Sequence, residues 1–254
     1  MNDLPLLKLA PGQVHVWFTC PEEIRDPDLL VSYHSLLTPD EQEKQVRYIM
    51  PWHRHSSLIT RAVARCVLSR YSSTKPHEWR FRRNMHGKPE IVQDSQSPPL
   101  HFNLAHTHGL IACAVALEHP VGVDVERWDR QRDFERLATR YFSTDESTML
   151  TQVPEYAQRR LFFNIWTLKE SYIKAKGMGL SMGLDKFSFV VSENGNPRIV
   201  LDPDLKDDPA AWAFRLLTPT KFHVAALALH RAPGTACQVQ SRFIIPLVHE
   251  ELTN

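Results

Sequence analysis

The 254-residue chain has only 9 glycines and 4 cysteines, and its 30 lysines and arginines nearly cancel its 29 aspartates and glutamates. Cys20, Cys66, Cys113 and Cys237 lie far apart with no CxxC spacing. That excludes a disulfide framework or a zinc ribbon and predicts free thiols in a reducing compartment. The net charge of +1 excludes the strong basic excess of a general nucleic-acid or membrane-surface binder. Apolar runs fall well short of the ~18 residues a membrane span needs. The N-terminal MNDLPLLKLAPGQ has no charged segment leading into a long apolar core, so it does not read as a secretory signal. Low-complexity tracts and the GxxxxGK[ST] phosphate loop are also missing. These absences predict a soluble, cytoplasmic, globular protein with enough chain for one large domain or two lobes.

Thr38-Pro39-Asp40-Glu41 and Ser143-Thr144-Asp145-Glu146 each place a hydroxyl residue three positions before a glutamate, the capping-box signature of a helix start. Pro39 at the first helical position strengthens the first of them. Downstream, Leu58, Ala62, Val63, Cys66 and Val67 recur at helical spacing and close near Tyr71. Leu161, Phe162, Ile165, Leu168, Tyr172 and Ile173 repeat that pattern before Gly177, a helix stop. Upstream of each cap lies a strand-like run, Val14 to Phe18 and Val121 to Val125. Strand, capped helix and long helix therefore occur twice, about 105 residues apart, a period too long for a solenoid. Further strands are predicted at 79–83, 110–117, 187–191, 198–201, 212–217 and 222–229, and turns at 93–99, 192–197 and 202–209. The reading is an α+β fold of two pseudo-twofold-related lobes, 1–119 and 120–254, each a small antiparallel sheet packed against a long helix.

Four groups of residues could carry chemistry. In the strand VGVDVE, alternation turns the valines one way and Asp124 and Glu126 the other. Two carboxylates on one face repel unless a cation lies between them, and hard oxygen ligands suit Mg²⁺ or Mn²⁺ better than zinc. Alone, the same pattern describes a solvated acidic strand face. In WTLKESYIKAKGMGL, Glu170 and Lys174 are one helical turn apart, with Lys169 and Lys176 close in sequence. Cations beside a carboxylate match a polyphosphate and its metal, although most such pairs are ordinary surface pairs. His106 and His108 in HFNLAHTHG form an HxH pair, placed on a loop at a strand end, that could take a metal or a phosphate. Gly87-Lys88-Pro89 restricts where one ammonium can go. Arg54, His55, Arg61 and Arg65 add positive charge, with Arg61 and Arg65 a turn apart and able to face one anion.

In order, GKP, FNLAHT, VGVDVE and WTLKESYIKAKGMGL resemble the 4′-phosphopantetheinyl transferases of the type that activates surfactin synthetase. Their pattern is GKP, F-N-[IL]-S-H-[ST], [IV]-G-[IV]-D-[IV]-E and W-[ST]-x-K-E-[AS]-x-x-K-x-x-G-x-G-L. Ala105 stands where the family has Ser, removing a hydroxyl, and the likeness is loose before residue 70. The resemblance implies Mg²⁺-dependent transfer of 4′-phosphopantetheine from coenzyme A to a serine of an apo acyl or peptidyl carrier protein. It implies Asp124, Glu126 and Glu170 as metal ligands, with Glu170 as base and Lys174 neutralising phosphate charge. Lys88, His106, Arg61 and Arg54 would grip the coenzyme phosphates. The segment 127–160, with Trp128, Phe134 and Phe142, is the expected carrier-recognition surface. Partners are then coenzyme A and the carrier, with neither nucleic acid nor membrane, on a monomer. Two rivals are a metal-dependent hydrolase built on His106, His108 and Asp124, and a non-catalytic coenzyme A-binding module.

Overall fold

The computed structural model describes residues 5–92, 98–129, 133–191 and 196–253. The first half runs β1 (Gln13–Thr19), α1 (Pro27–Ser35), α2 (Pro39–Val46), α3 (Pro51–Leu68), β2 (Phe81–Arg83), β3 (Pro89–Ile91), β4 (Leu100–Thr107) and β5 (Leu110–Leu117). The second runs β6 (Val121–Arg127), α4 (Phe134–Tyr141), α5 (Thr144–Gln152), α6 (Glu155–Lys176), β7 (Phe187–Val190), β8 (Arg198–Leu201), β9 (Trp212–Thr220), β10 (His223–His230), β11 (Gln238–Ile245) and β12 (His249–Leu252).

Both capping boxes form. Thr38 Oγ1 accepts the Glu41 N–H while Glu41 accepts the Thr38 N–H, and Ser143 and Glu146 exchange the same two bonds. Each box satisfies two helix-end donors that would otherwise lack partners. Helix α6 ends where Gly177 turns left-handed at φ 68° and returns its N–H to Ile173 O, a conformation costly for residues with a Cβ.

The strands form two principal sheets, ordered β12-β11-β1-β5-β4 and β6-β10-β9. Alternation sorts each strand's side chains. Trp17, Cys113 and Val115 of the first sheet pack on Ile59, Ala62, Val63 and Val67 of α3. Val14, Val16, Phe18, Ala112 and Ala114 close against Val121, Val123, Val125, Ala225 and Leu227 of the second sheet. The far face of that sheet, Ala226 and Ala228, carries Leu168, Tyr172 and Ala175 of α6. The architecture is helix, sheet, sheet, helix, and each fully buried aliphatic side chain contributes about 1.5–3 kcal/mol.

The α+β class stands, with three departures in detail. The second sheet is antiparallel throughout, but β11 pairs with β1 in parallel, Val14 opposite Val239 and Phe18 opposite Phe243. Residues 238–252, counted by sequence with the second lobe, thus complete the first lobe's sheet. A parallel partner needs a long crossover, so nothing near β1 in the sequence announces it. The histidine segment was expected on a loop; instead β4 extends to Thr107, so His106 is a strand residue and only His108 lies in the turn beyond it. Of the expected turns, 202–209 carries two short 3₁₀ turns, whereas 93–97 and 192–195 lie outside the described residues.

Candidate active site

The site is made where β6 meets α6. Valines of β6 face the first sheet, so Gly122, Asp124 and Glu126 face the helix. Gly122 has no side chain for a reason: a Cβ there would collide with Ser171 O and Ala175 N. The helix backbone therefore rests on the strand, and the helical turn carrying Glu170 and Lys174 comes level with Asp124. Lys174 Nζ donates to Asp124 Oδ1 at 2.6 Å. Asp124 Oδ2 is buried and has no hydrogen-bond partner, a costly state for a carboxylate oxygen.

Glu170 completes the acidic group. Burial raises its pKa above the usual carboxylate range; the Asp124 charge pushes the same way, Lys174 opposes, and Glu126 adds a smaller push. His106 enters from β4 with an exposed ring. Loss of solvent on its protein side lowers its pKa, Lys174 and His53 lower it further, and Asp124 opposes. Its imidazole is therefore harder to protonate than a free one, and its neutral form offers one ring N–H.

Lys88 crosses from the first lobe. Its ammonium donates to Val121 O at 3.3 Å and Ala175 O at 3.2 Å. Burial lowers its pKa from 10.5 to about 8, with Glu90 opposing. The Gly87-Lys88 turn is fixed by Asn84, whose Oδ1 accepts the His86 and Lys88 N–H groups and whose Nδ2 donates to Gly177 O. Beside these residues opens a cleft of about 300 Å³ lined by His86, Lys88, Asn103, Glu170, Ile173 and Lys174. Asn103 Oδ1 also accepts Val123 N–H at 2.9 Å, tying β4 to β6. Neither Asn84 nor Gly122 was assigned a role from sequence; a glycine inside a strand was the available signal for close backbone approach.

Other expected groups are engaged elsewhere. Lys169 is wholly buried against Glu146, and Lys176 pairs with Asp207, so only Lys174 of that cluster faces the carboxylates. Arg61 and Arg65 do face one anion, the Glu41 carboxylate of the capping box: Arg65 is buried against it and also bonded to Pro76 O and Trp79 O, and Arg61 Nε lies 4.0 Å from its other oxygen. Arg61 bonds Ser57, and Arg54 donates to Tyr48 O at 2.8 Å, inside the turn before α3. His55 reaches Pro21 O. His108 lies 3.6 Å from Glu22, apart from His106's neighbours. Phe142 is buried against Phe162 in the second lobe, whereas Trp128 and Phe134 are half-buried at the edge of that cluster, with Arg160 and Arg159 over their rings.

Do these residues fit a divalent cation? Among the described residues no three His, Cys, Asp or Glu groups converge on one point, and Asp124 Oδ1 is held by the Lys174 ammonium. The donor chemistry fits nonetheless. An unpartnered buried carboxylate oxygen beside a second carboxyl group that is costly to ionise is relieved by a hard cation.

Residues 120–228 match the 4′-phosphopantetheinyl transferase superfamily, and residues 26–118 match the 4′-phosphopantetheinyl transferase N-terminal region. The chain is 29% identical to the 4′-phosphopantetheinyl transferase HetI of Nostoc over 89% of its length and 91% of that protein's. It is 33% identical to the 4′-phosphopantetheinyl transferase Sfp of Bacillus subtilis, covering 68% of this chain and 74% of that one. For the enzyme gsp of Aneurinibacillus migulanus the figures are 30% identity and 74% of each chain. The protein belongs to the 4′-phosphopantetheinyl transferase superfamily, and it is a transferase of the holo-[acyl-carrier-protein] synthase type.

Proposed function

We propose that the protein transfers 4′-phosphopantetheine from coenzyme A to a serine hydroxyl of an apo acyl or peptidyl carrier protein, releasing adenosine 3′,5′-bisphosphate. The observation that carries this reading is the seam between β6 and α6. There, an unpartnered oxygen of Asp124 and the ionisation-resistant Glu170 stand beside Lys174 at the wall of a cleft rimmed by Lys88.

Asp124, Glu126 and Glu170 would hold Mg²⁺, or Mn²⁺, whose charge offsets that of the coenzyme pyrophosphate. Lys174 neutralises charge on the phosphate under attack and on the leaving group. Glu170, with its raised pKa, takes the serine proton directly or through water as the serine oxygen bonds to the phosphorus bearing pantetheine. The phosphoanhydride bond to the nucleotide phosphate breaks in the same displacement, and the bisphosphate leaves with that electron pair. Lys88 and neutral His106 bind phosphate oxygens. Arg61 and Arg54 serve the outer end of the coenzyme, exchanging their present first-lobe contacts for it.

Division of the HxH pair between two surroundings leaves the hydrolase reading unsupported. Intact Asp124, Glu126, Glu170 and Lys174 disfavour a binding-only module, which has no use for all four. Among the described residues no helix is long and apolar enough to cross a membrane, and all four cysteines are free thiols. These facts support a cytoplasmic site of action, and a cleft supplied by one chain supports a monomer. The test is incubation with coenzyme A, Mg²⁺ and a panel of apo carriers, read by intact mass. Addition of one phosphopantetheine group to a carrier, lost on chelation of the metal, is the expected result; no addition to any carrier refutes the proposal.

A further inference from the structure

Strands β4 and β6 are edge strands of their sheets, and an edge strand carries backbone groups with no ladder partner. One of these, the Val123 N–H of β6, is accepted by Asn103 Oδ1 of β4. A backbone N–H only donates, so it fixes the amide: Oδ1 turns to β6, and Nδ2, with two N–H donors, turns away from it. Asn103 is only 5% exposed. Yet among the described residues no acceptor takes Nδ2, neither Glu170 nor any other. Nor is that nitrogen one of the sealed, unpartnered polar atoms of the interior, as Asp124 Oδ2 is. The little surface it keeps opens on the cleft that Asn103 lines. A rigidly held donor with nothing in the protein to receive it is built for a ligand.

Three features identify the acceptor it meets. Val123 immediately precedes Asp124, so the amide is anchored one residue from the carboxylate that stands beside Glu170 and Lys174. Lys88 and Lys174 line the same cleft, so the amide joins two cations, a set that complements an anion. Pro89, Leu104 and Ile173 supply apolar wall, and such surroundings strengthen a hydrogen bond to charge. Resting on the function proposed above, we infer that Asn103 Nδ2 donates to a non-bridging oxygen of the phosphate under attack. The lysines attract the pyrophosphate throughout the reaction. A neutral donor held in place gains most where charge on that oxygen shifts in the transition state, so it acts on kcat more than on coenzyme binding. One side chain thus joins the two sheets through Oδ1 and contacts the reacting group through Nδ2.

The test compares wild-type protein with Asn103→Asp and Asn103→Ala, measuring kcat and the KM for coenzyme A at saturating carrier. Asn103→Asp keeps an acceptor for the Val123 N–H and, ionised, has no donor; Asn103→Ala has neither. The expected result is a kcat lowered about 10²-fold in both variants, the scale of removing one such donor, with the KM for coenzyme A little changed. A residue that only ties β4 to β6 would lose activity in Asn103→Ala and keep it in Asn103→Asp, and that outcome overturns the inference. Because a variant at a buried position can lose its fold, the wild-type side-chain amides are also followed by NMR. On addition of coenzyme A with Mg²⁺, without carrier, one Nδ2 proton of Asn103 should move downfield and exchange more slowly with water. Two unmoved protons overturn the inference whatever the variants do. If wild-type protein transfers nothing to any carrier, the functional reading fails and this inference falls with it; if wild type transfers and Asn103→Asp matches it, the inference fails alone.

Discussion

The two lobes share one device and differ in one seam. In the first lobe the capping-box Glu41 accepts Arg65 at 2.5 Å; Arg65 also donates to Pro76 O and Trp79 O and stacks over Phe81, the first residue of β2. In the second, about 105 residues later, Glu146 pairs with Lys169 at 2.7 Å; Lys169 donates to Leu184 O and Phe187 O and lies over Phe187, the first residue of β7. Each is a buried cation on the long helix, locked to the cap of the preceding helix and to the entry of the next strand. Now move one residue on. After Arg65 comes Cys66, a core residue; after Lys169 comes Glu170. Along the strands, Val14-His15-Val16-Trp17-Phe18 aligns with Val121-Gly122-Val123-Asp124-Val125. His15 and Trp17 fill the gap to the first lobe through Tyr71, whereas Gly122 admits α6 onto the strand and Asp124 replaces the indole. The scaffold is repeated and the chemistry is not, so function lies in a few substitutions grafted on one copy.

The comparison can be broken at the shared device. Lys169→Met strands the wholly buried Glu146 and should lower unfolding free energy by about 3–5 kcal/mol in denaturant titration; Arg65→Met leaves Glu41 partly exposed and still 4.0 Å from Arg61, and should cost less. Their effects on transfer should diverge. Lys169→Met loosens the helix that aims Glu170 and Lys174 and should depress kcat in the protein that remains folded, while Arg65→Met should not. Equal kcat in both variants would show that the buried pair is not what positions α6.

The differing seam comes next. Glu170→Gln should lower kcat by about 10²–10³-fold, the scale of removing one group that acts on transition-state charge or protons. Stability should not fall, because ionising Glu170 in its buried place is unfavourable. Cys66→Ala, one residue beyond the matching cation, should do the reverse, costing stability through a small core cavity and leaving transfer intact. Smaller again is Gly122→Ala. Its methyl group forces α6 away from β6, an overpacking cost of about 1–3 kcal/mol, and kcat should drop although no charged group has changed. A melting curve and a transfer assay on one preparation separate the two effects.

Much of this was legible from local periodicity. Both capping boxes, the Gly177 stop and the alternation that turns Asp124 and Glu126 toward one face depend on residues within a few positions of each other, which a sequence displays directly. What could not be read depends on distant partners. The alternation in Val239, Ser241 and Phe243 gives no sign that β11 lies parallel to β1 at the other end of the chain. Lys169 and Lys176 looked like phosphate ligands because they crowd Lys174 in sequence; helical geometry points them elsewhere, and their partners Glu146 and Asp207 come from other elements. Trp128, Phe134 and Phe142 looked alike because they follow the acidic strand, and only the position of Phe162 shows that Phe142 is core while Trp128 and Phe134 stay half-buried at its edge.

The finest distinction concerns Lys88, which belongs to the first lobe but bonds two carbonyls of the second. It is either a clamp between lobes or a phosphate contact, and pH separates these roles. Its pKa is about 8 in the folded protein against 10.5 ordinarily, so between those values the unfolded chain holds a proton that the folded protein has released. Stability from this residue therefore rises with pH across that window. Phosphate binding needs the charged form and runs the other way, so coenzyme A affinity should fall by up to about tenfold per pH unit above 8. In Lys88→Arg the guanidinium stays charged and affinity should be level from pH 7 to 9. Calorimetry at three pH values with both proteins decides it: a level wild-type profile, or an equal fall in the arginine variant, would leave Lys88 as a clamp and assign the coenzyme phosphates to His106, Lys174 and the first-lobe arginines.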